Sequence, residues 1–454
     1  MSLREFLEEM EERREVIRIT EPLSTRFEIP LVMKSLEGGP IPIFENVEGY
    51  EGVTIVGNVC GTRDRLCLAL NVSREELYNR LIDASRNLKP PSVVSNSPVT
   101  EVIEEPDLRS IPILTHYEGD AGAYITSAVI SAKSPDGSVE NVSIHRLLVL
   151  DERHLAIRLV PRHLYKLWSM AKGEGKDLDI AIAVGVHPAV SLAAASSPPF
   201  GVNEFWIANA LLDGKLRLIK CRKVDAYAPA DAELVLEGRI SRDREATEGP
   251  LVDITGTYDI KRSQPVVEVI NVMHRKGYIY QALLPGGAEH RLLMGLPREA
   301  AIYEAVSRVV PKVRAVNLSI GGCGWLHAII SIEKQTDGDA KNAILSAFSA
   351  HPSLKHVVVV DTDVDVFNLD DVEWAIATRF QADEDLVILR NVRGSSLDPS
   401  ADQERAITSK MGIDATRPLS KPREGFERAE IPRSGRAEDI IDKLMESLGD
   451  PDSF

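Results

Sequence analysis

Residues 141–151 read Asn-Val-Ser-Ile-His-Arg-Leu-Leu-Val-Leu-Asp, NVSIHRLLVLD. Successive side chains of a β-strand point to opposite faces. Asn141, Ser143 and His145 therefore share one face of an otherwise apolar strand, and Arg146 in a straight strand points the other way. A polar row of this kind is either a satisfied hydrogen-bond network inside a barrel or one wall of a site. The residues around it decide what kind of sheet it belongs to.

From about residue 108 to 290 the chain is a series of short β-patterned runs: YITSAVISA, HLAIRLV, LDIAIAVGV, LRLIKC, AELVLEGRI, QPVVEVINVMH and GYIYQALL. Many short strands joined by loops predict a barrel or a sandwich. Ahead of them, Ser2 and Glu5 have capping-box spacing and Leu3, Phe6, Leu7 and Met10 recur at helical spacing, so an amphipathic helix opens a mixed region that runs to about Asp107. Behind them, LPREAAIYEAVSRVV predicts a connecting helix over 296–310 with Pro297 in its first turn. VRAVNLSI, LHAIISI and HVVVVD then read as strands, DAKNAILSAFSA and DDVEWAIATRF as helices. The fold class is α/β (α+β), with an N-terminal α/β domain at 1–107, a β-rich domain at 108–295, the helix at 296–310 and a C-terminal α/β domain at 311–430. A tail helix lies within 431–454, where Ile440, Ile441, Leu444 and Leu448 form an apolar stripe that suits a partner subunit or the chain's own C-terminal domain.

The 454 residues carry 53 Lys plus Arg against 69 Asp plus Glu, a net charge of -16, which argues against a nucleic-acid partner. Cys60, Cys67, Cys221 and Cys323 show no C-x-x-C spacing, so neither a zinc cage nor a disulfide framework is expected. No basic-then-apolar leader opens the chain, and the run IAIAVGV is far too short to span a bilayer, so the expected location is cytoplasmic, away from any membrane.

Several motifs bear on chemistry. DTDVDVFNLDDV alternates Asp361, Asp363 and Asp365, but Val366 and Val372 stand where a calcium loop needs Gly and Glu, so these acids are expected to cap the next helix and face solvent. IGGCGW, 320–325, lacks the spacing and the Lys of a phosphate loop. In EGPLVD, 248–253, Glu248 and Asp253 flank a Gly-Pro turn and are either solvated loop acids or a matched pair for proton transfer. Asn141, His163 and Glu204 make an N/O ligand set suited to Mg²⁺ or Mn²⁺, and spacing leaves open whether they converge.

Taken together, these segments resemble the UbiD family of decarboxylases, which use prenylated FMN. The likeness runs through YIT at 124, NVSIHR at 141, RH at 162, SSPPFGVNE at 196, PADAELVLEGRI at 229, EGPLVDITGTY at 248, VVVVDTDVDVFNLDDVEWAIATR at 357 and SKMGIDAT at 409. The resemblance implies a central split β-barrel that binds the modified flavin and a C-terminal domain that builds a homodimer or homohexamer. It implies that Asn141, His163 and Glu204 hold Mn²⁺ (or Mg²⁺), with K⁺ nearby, and that Thr126, Ser143, Ile144, Arg146, Ser196, Ser197 and Lys410 also contact the cofactor. Arg146, Glu248 and Asp253 match the catalytic set, with Asp253 as proton donor, and a flavin prenyltransferase is the expected supplier of the cofactor.

NVSIHR and PGGAEH are similar to the archaeal branch of the family. The implied activity is non-oxidative decarboxylation of an α,β-unsaturated or aromatic acid, most specifically trans-anhydromevalonate 5-phosphate to isopentenyl phosphate and CO₂ in isoprenoid synthesis. A substrate phosphate would need cationic donors, for which His145, His290 and Arg291 are candidates. The rival readings are an aromatic-acid (4-hydroxybenzoate-type) decarboxylase of quinone biosynthesis, a non-catalytic subunit of a larger carboxylase, and a metal-dependent hydrolase.

Overall fold

Strands Glu140–Ile144 and Leu147–Val149 are joined by only His145 and Arg146, yet five strands of one nine-stranded sheet lie between them. In a flat sheet they would stand about 29 Å apart, at about 4.8 Å per strand. The three residue steps from Ile144 to Leu147 reach about 11 Å at most. The sheet must therefore roll up until its two sides meet at His145–Arg146. In the computed structural model, which describes residues 1–429, 431–432 and 434–448, it does so and forms a curled half-barrel.

The wall of the barrel is built on two long antiparallel strands, Leu234–Glu248 and Arg262–His274. Their pairing shifts register between Glu237 and Gly238 and again between Ile240 and Glu245, and such bulges add the bend and twist a closed sheet needs. A Cβ at Gly238 would stand 2.9 Å from the Glu268 carbonyl oxygen, so the first bulge needs glycine. The strand Leu178–Val184 is buried on both faces: Ile180 and Ile182 join one core, and Ala181 and Ala183 the other, under the helices Pro188–Ala194 and Glu204–Leu211. Burial on both faces is why its sequence is continuously apolar.

Two strands expected among the central ones lie elsewhere. Ile279–Gln281, from GYIYQALL, pairs parallel with Thr54–Val56 and completes a four-stranded sheet with Val16–Ile19 and Ile41–Phe44. Arg217–Lys220, from LRLIKC, pairs with Ser92–Val94 and Tyr227–Pro229 in a separate three-stranded sheet. Period-two patterning marks a strand but not its partner. The joint between regions is polar as well: buried Glu233 accepts from Arg4 (Nη2, 2.7 Å), Arg275 (Nη1, 3.4 Å) and the Ile279 amide (2.9 Å). The opening helix, Leu3–Glu12, has the expected capping box and buries Leu3, Phe6, Leu7 and Met10.

The helix expected over 296–310 runs instead from Ala288 to Val306, with Pro297 in its interior. Its start is fixed from far away in sequence, because the Ala288 amide donates to Glu37 Oε1 at 2.9 Å. Beyond it lies a five-stranded sheet ordered Val313–Leu318, His327–Ile332, His356–Asp361, Ile407–Ala415, Leu386–Arg393. In the tail helix Gly435–Leu448, Ile440 and Ile441 are 49% and 55% exposed. The Leu448 side chain lies outside the described residues.

The acids of DTDVDV do not cap the following helix, whose cap is Asn368. Asp363 and Asp365 face solvent as expected, but Asp361 is buried: enclosed Arg379, which needs counter-charge, pairs with Asp361 (2.7 Å) and with the exposed Asp363 (2.8 Å). Arg379→Met strands the buried Asp361, so about 3–5 kcal/mol of stability should be lost. Chemical denaturation checks this, and an unchanged midpoint would show that the pairs contribute nothing net.

Candidate active site

His145 and Arg146 leave the ladder between the two strands they join, and the Arg158 amide donates to the Arg146 carbonyl at 3.2 Å. This break aims Arg146 at three carboxylates. Its Nε and Nη2 donate to Glu248 Oε1 (2.8 Å) and Oε2 (3.0 Å), Nη1 to Asp253 Oδ2 (2.9 Å), and Nη2 also to Asp259 Oδ2 (3.0 Å). Glu248 is the last residue of its long strand. Gly249, at φ +92°, turns the chain into a two-stranded ribbon, Leu251–Val252 paired with Tyr258–Asp259. A Cβ at Gly249 would stand 3.1 Å from the Ile260 carbonyl oxygen. The acids of EGPLVD are thus neighbours on one guanidinium.

Their environments differ. Glu248 is fully buried, and Tyr124 Oη donates to its Oε1 at 3.3 Å while accepting from the Gly249 amide at 3.1 Å. Burial, then the Glu248 charge, pushes the Tyr124 hydroxyl up, so it stays a donor. The Asp253 side chain is 18% exposed and is held by Arg146 and the Ile254 amide (2.7 Å). Burial alone would raise Asp259, yet Arg262 (2.7 Å), Arg146 and Arg158 hold it below the usual carboxylate range. Burial likewise works against the charge of Arg146, and the three acids more than offset it. Asp259 was not among the residues anticipated; the final Asp of EGPLVDITGTYD becomes a partner only through the ribbon register, Leu251 opposite Asp259.

A second group forms behind the strand Glu140–Ile144. Glu204, buried at the first turn of its helix, accepts from Asn141 Nδ2 (3.0 Å) and the Val142 amide (2.6 Å), and His163 Nδ1 lies 4.0 Å away. Burial raises the Glu204 carboxyl against these donors. Ser143 Oγ donates to Asn141 Oδ1 at 3.1 Å and lies 3.0 Å from His145 Nε2. One carboxylate, one imidazole and one amide are chemically suited to a hard or borderline divalent cation. Among the described residues no group of three or more His, Cys, Asp or Glu is placed to hold a metal.

The remaining anticipated residues are spread around this core. Thr126 Oγ1 donates to the Leu283 carbonyl (2.6 Å) and Ile144 is half-buried opposite Val129. Ser196 Oγ donates to the Ala193 carbonyl (2.6 Å), and Ser197 is exposed with φ +51°. Lys410 comes from the C-terminal sheet, is buried, donates to the Pro352 carbonyl (2.7 Å), and is pushed down to about 8 by burial.

Of the three candidates for a phosphate, His145 is pushed down to about 4 by burial and faces Ser143 and the Arg158 carbonyl (3.0 Å), so it is neutral. His290 accepts the Gly286 amide at Nδ1 (3.0 Å), and Arg291 Nε donates to the Ile254 carbonyl (3.3 Å). Arg291 makes no ion pair among the described residues, and two further cations share that property. Among the described residues neither Arg162 nor Arg298 makes an ion pair, and Arg298 Nε is enclosed without a partner. Burial, then Arg162, pushes Arg298 down to about 10. It lies over the Trp325 ring, which contacts His351, and His351 feels Arg298, Lys410 and Arg162 together.

Comparison with known proteins matches this layout along its length. Residues 7–85, 92–288 and 291–415 match the N-terminal, Rift-related and C-terminal domains of 3-octaprenyl-4-hydroxybenzoate carboxy-lyase, UbiD. The chain is 44% identical over 426 residues to the anhydromevalonate phosphate decarboxylase of Methanothermobacter thermautotrophicus, covering 94% of this chain and 99% of that protein. The UbiD-class enzyme HmfF from Pelotomaculum thermopropionicum, solved with FMN, superposes with a TM-score of 0.93 at 42% identity over 99% of this chain and 100% of HmfF. An evolved dimeric form of HmfF, solved with prFMN, gives 0.90 at 40% identity over 99% of each chain. Among the described residues no helix is long and apolar enough to cross a membrane. The curled central sheet, the acids gathered on Arg146 and these matches make the chain a member of the UbiD family of carboxy-lyases.

Proposed function

We propose that the protein decarboxylates trans-anhydromevalonate 5-phosphate to isopentenyl phosphate and CO₂, using prenylated FMN. The relatives' activity supports the reaction, and one observation carries the substrate: the start and the middle of the helix Ala288–Val306 face different chemistry. Near its start, His290 lies within electrostatic reach of Asp253 and Arg146. Eight residues on, about 12 Å along the axis, stands Arg298, with Arg162 nearby and, among the described residues, no ion pair to a carboxylate at either. A molecule with a carboxylate at one end and a phosphate at the other fits that polarity.

When bound, prenylated FMN supplies the electron sink for the pair left on carbon as CO₂ departs. Arg146 receives the substrate carboxylate, its Nη1 being the nitrogen that Asp253 alone occupies. Asp253, displaced toward solvent and protonated, then delivers its proton to the carbon that lost CO₂, so one proton is consumed per turnover. Glu248, buried and bidentate, keeps the guanidinium in place. In this reading Asn141, His163 and Glu204 hold Mn²⁺ (or Mg²⁺), with K⁺ nearby. Thr126, Ser143, Ile144, Ser196, Ser197 and Lys410 would contact the cofactor, and the cation and Lys410 would supply positive charge for its phosphate. A flavin prenyltransferase supplies the cofactor, the C-terminal region builds a homodimer or homohexamer, and the enzyme works in the cytoplasm.

Three outcomes test this reading. Asp253→Asn should keep the cofactor and lose about 10²- to 10⁴-fold in kcat; wild-type turnover with cofactor bound removes Asp253 as the acid. Glu204→Gln should lower both metal and flavin content of the purified protein, read by elemental analysis and absorbance. Arg298→Met should raise KM for the phosphorylated acid by roughly 30-fold or more, as expected when a buried charged partner is removed, while leaving the poor turnover of the dephosphorylated acid unchanged. Loss of bound cofactor from Arg298→Met would instead place this cation at the flavin phosphate.

A further inference from the structure

Around Arg146 the fold gathers three cations, Arg146, Arg158 and Arg262, and three acids, Glu248, Asp253 and Asp259. With every group ionised the cluster is neutral. The acids are not equivalent, because Glu248 and Asp259 are 0% and 3% exposed, whereas Asp253 is 18% exposed. Glu248 and Asp259 also share the Nε–Nη2 side of the guanidinium, leaving Nη1 to Asp253. Asp259 is tied on its other side to Arg262 Nη1 (2.7 Å) and the Ile260 amide (2.9 Å), with Arg158 Nε at 3.6 Å.

We propose that Asp259 is a positioning residue for decarboxylation: it anchors Arg146 from the side opposite Asp253 and supplies the negative charge that lets Asp253 leave Nη1 and take up a proton. The inference rests on the reading of Asp253 as the acid. When a substrate carboxylate takes Nη1, Glu248 and Asp259 hold Arg146 where it stands, so the guanidinium does not follow Asp253. The incoming carboxylate also makes the cluster one charge negative, and a like charge favours the protonated form of the one acid free to change state. Uptake of one proton by Asp253 restores neutrality.

The other groups facing these acids do not supply this charge. His290, beside Asp253, is pushed down by burial, which favours its uncharged form, and Arg291 points to the Ile254 carbonyl. Asp120 is pushed up by burial and turned to the amides of Tyr117 (2.9 Å) and Val252 (3.4 Å). Tyr124 is a neutral donor to Glu248.

The test is the pH profile of kcat in holoenzyme of three variants, with cofactor content read by absorbance. Asp259→Asn leaves the cluster one charge more positive, so Asp253 should hold its proton less well. Its alkaline limb should move down by about one pH unit, with kcat at neutral pH reduced about tenfold or more and cofactor retained. Asp259→Glu should restore most of both. Arg262→Gln, at a half-exposed cation that does not touch Arg146, changes the charge in the opposite sense and should move the limb up; it remains decisive if Asp259→Asn does not fold. A lower rate with an unmoved limb in both Asp259→Asn and Arg262→Gln, or limbs that move the same way, would overturn the proposal.

Discussion

A two-residue link curls the central sheet into a half-barrel, and much of the site follows from it. Because Glu140–Ile144 and Leu147–Val149 belong to opposite sides of the sheet and are joined by His145 and Arg146 alone, the sheet has to curl. The residues at the seam are freed from strict alternation. One consequence is that neighbouring side chains serve different groups: His145 joins Asn141 and Ser143, and Arg146 turns to Glu248, Asp253 and Asp259. The cation-suited set and the acid cluster are thereby held a fixed distance apart by the shortest possible connection.

Electrostatics sorts the site into a locked part and a responsive part. A buried carboxylate is costly unless paired, and Glu248 and Asp259 are paired on every side. Asp253 keeps an opening to solvent and a single guanidinium contact. Such asymmetry among acids on one Arg is how proton transfer can be confined to one of them. At the other end, among the described residues Arg162 and the half-buried Arg298 make no ion pair, whereas Arg379, fully buried in the C-terminal region, is paired with Asp361 and Asp363.

Much of the fold was legible in the sequence where short-range physics sets the structure. Ser2 and Glu5 cap the first helix as their spacing requires, and the polar row Asn141, Ser143, His145 keeps its shared hydrogen bonds. What was not legible depends on distant partners. GYIYQALL reads as a strand, but nothing local says that its sheet partner is Thr54–Val56. The early start of the helix Ala288–Val306 depends on Glu37, and the inward turn of Asp361 depends on Arg379. In the site, the residues left open whether the acids of EGPLVD were solvated or matched, and the family resemblance singled out Arg146, Glu248 and Asp253. Asp259 and the unpaired Arg298 emerge only in three dimensions, since ribbon register and missing counter-charge have no sequence signature.

The central claim is that this site exchanges CO₂ for a proton on a phosphorylated unsaturated acid. It is met most directly by turnover of trans-anhydromevalonate 5-phosphate in D₂O with the reconstituted wild-type protein, the product being examined by NMR and mass spectrometry. The account predicts isopentenyl phosphate with one deuterium on the carbon that carried the carboxylate, and one CO₂ for each product molecule. Absence of CO₂ release from this acid, or a product without deuterium at that carbon, would contradict it.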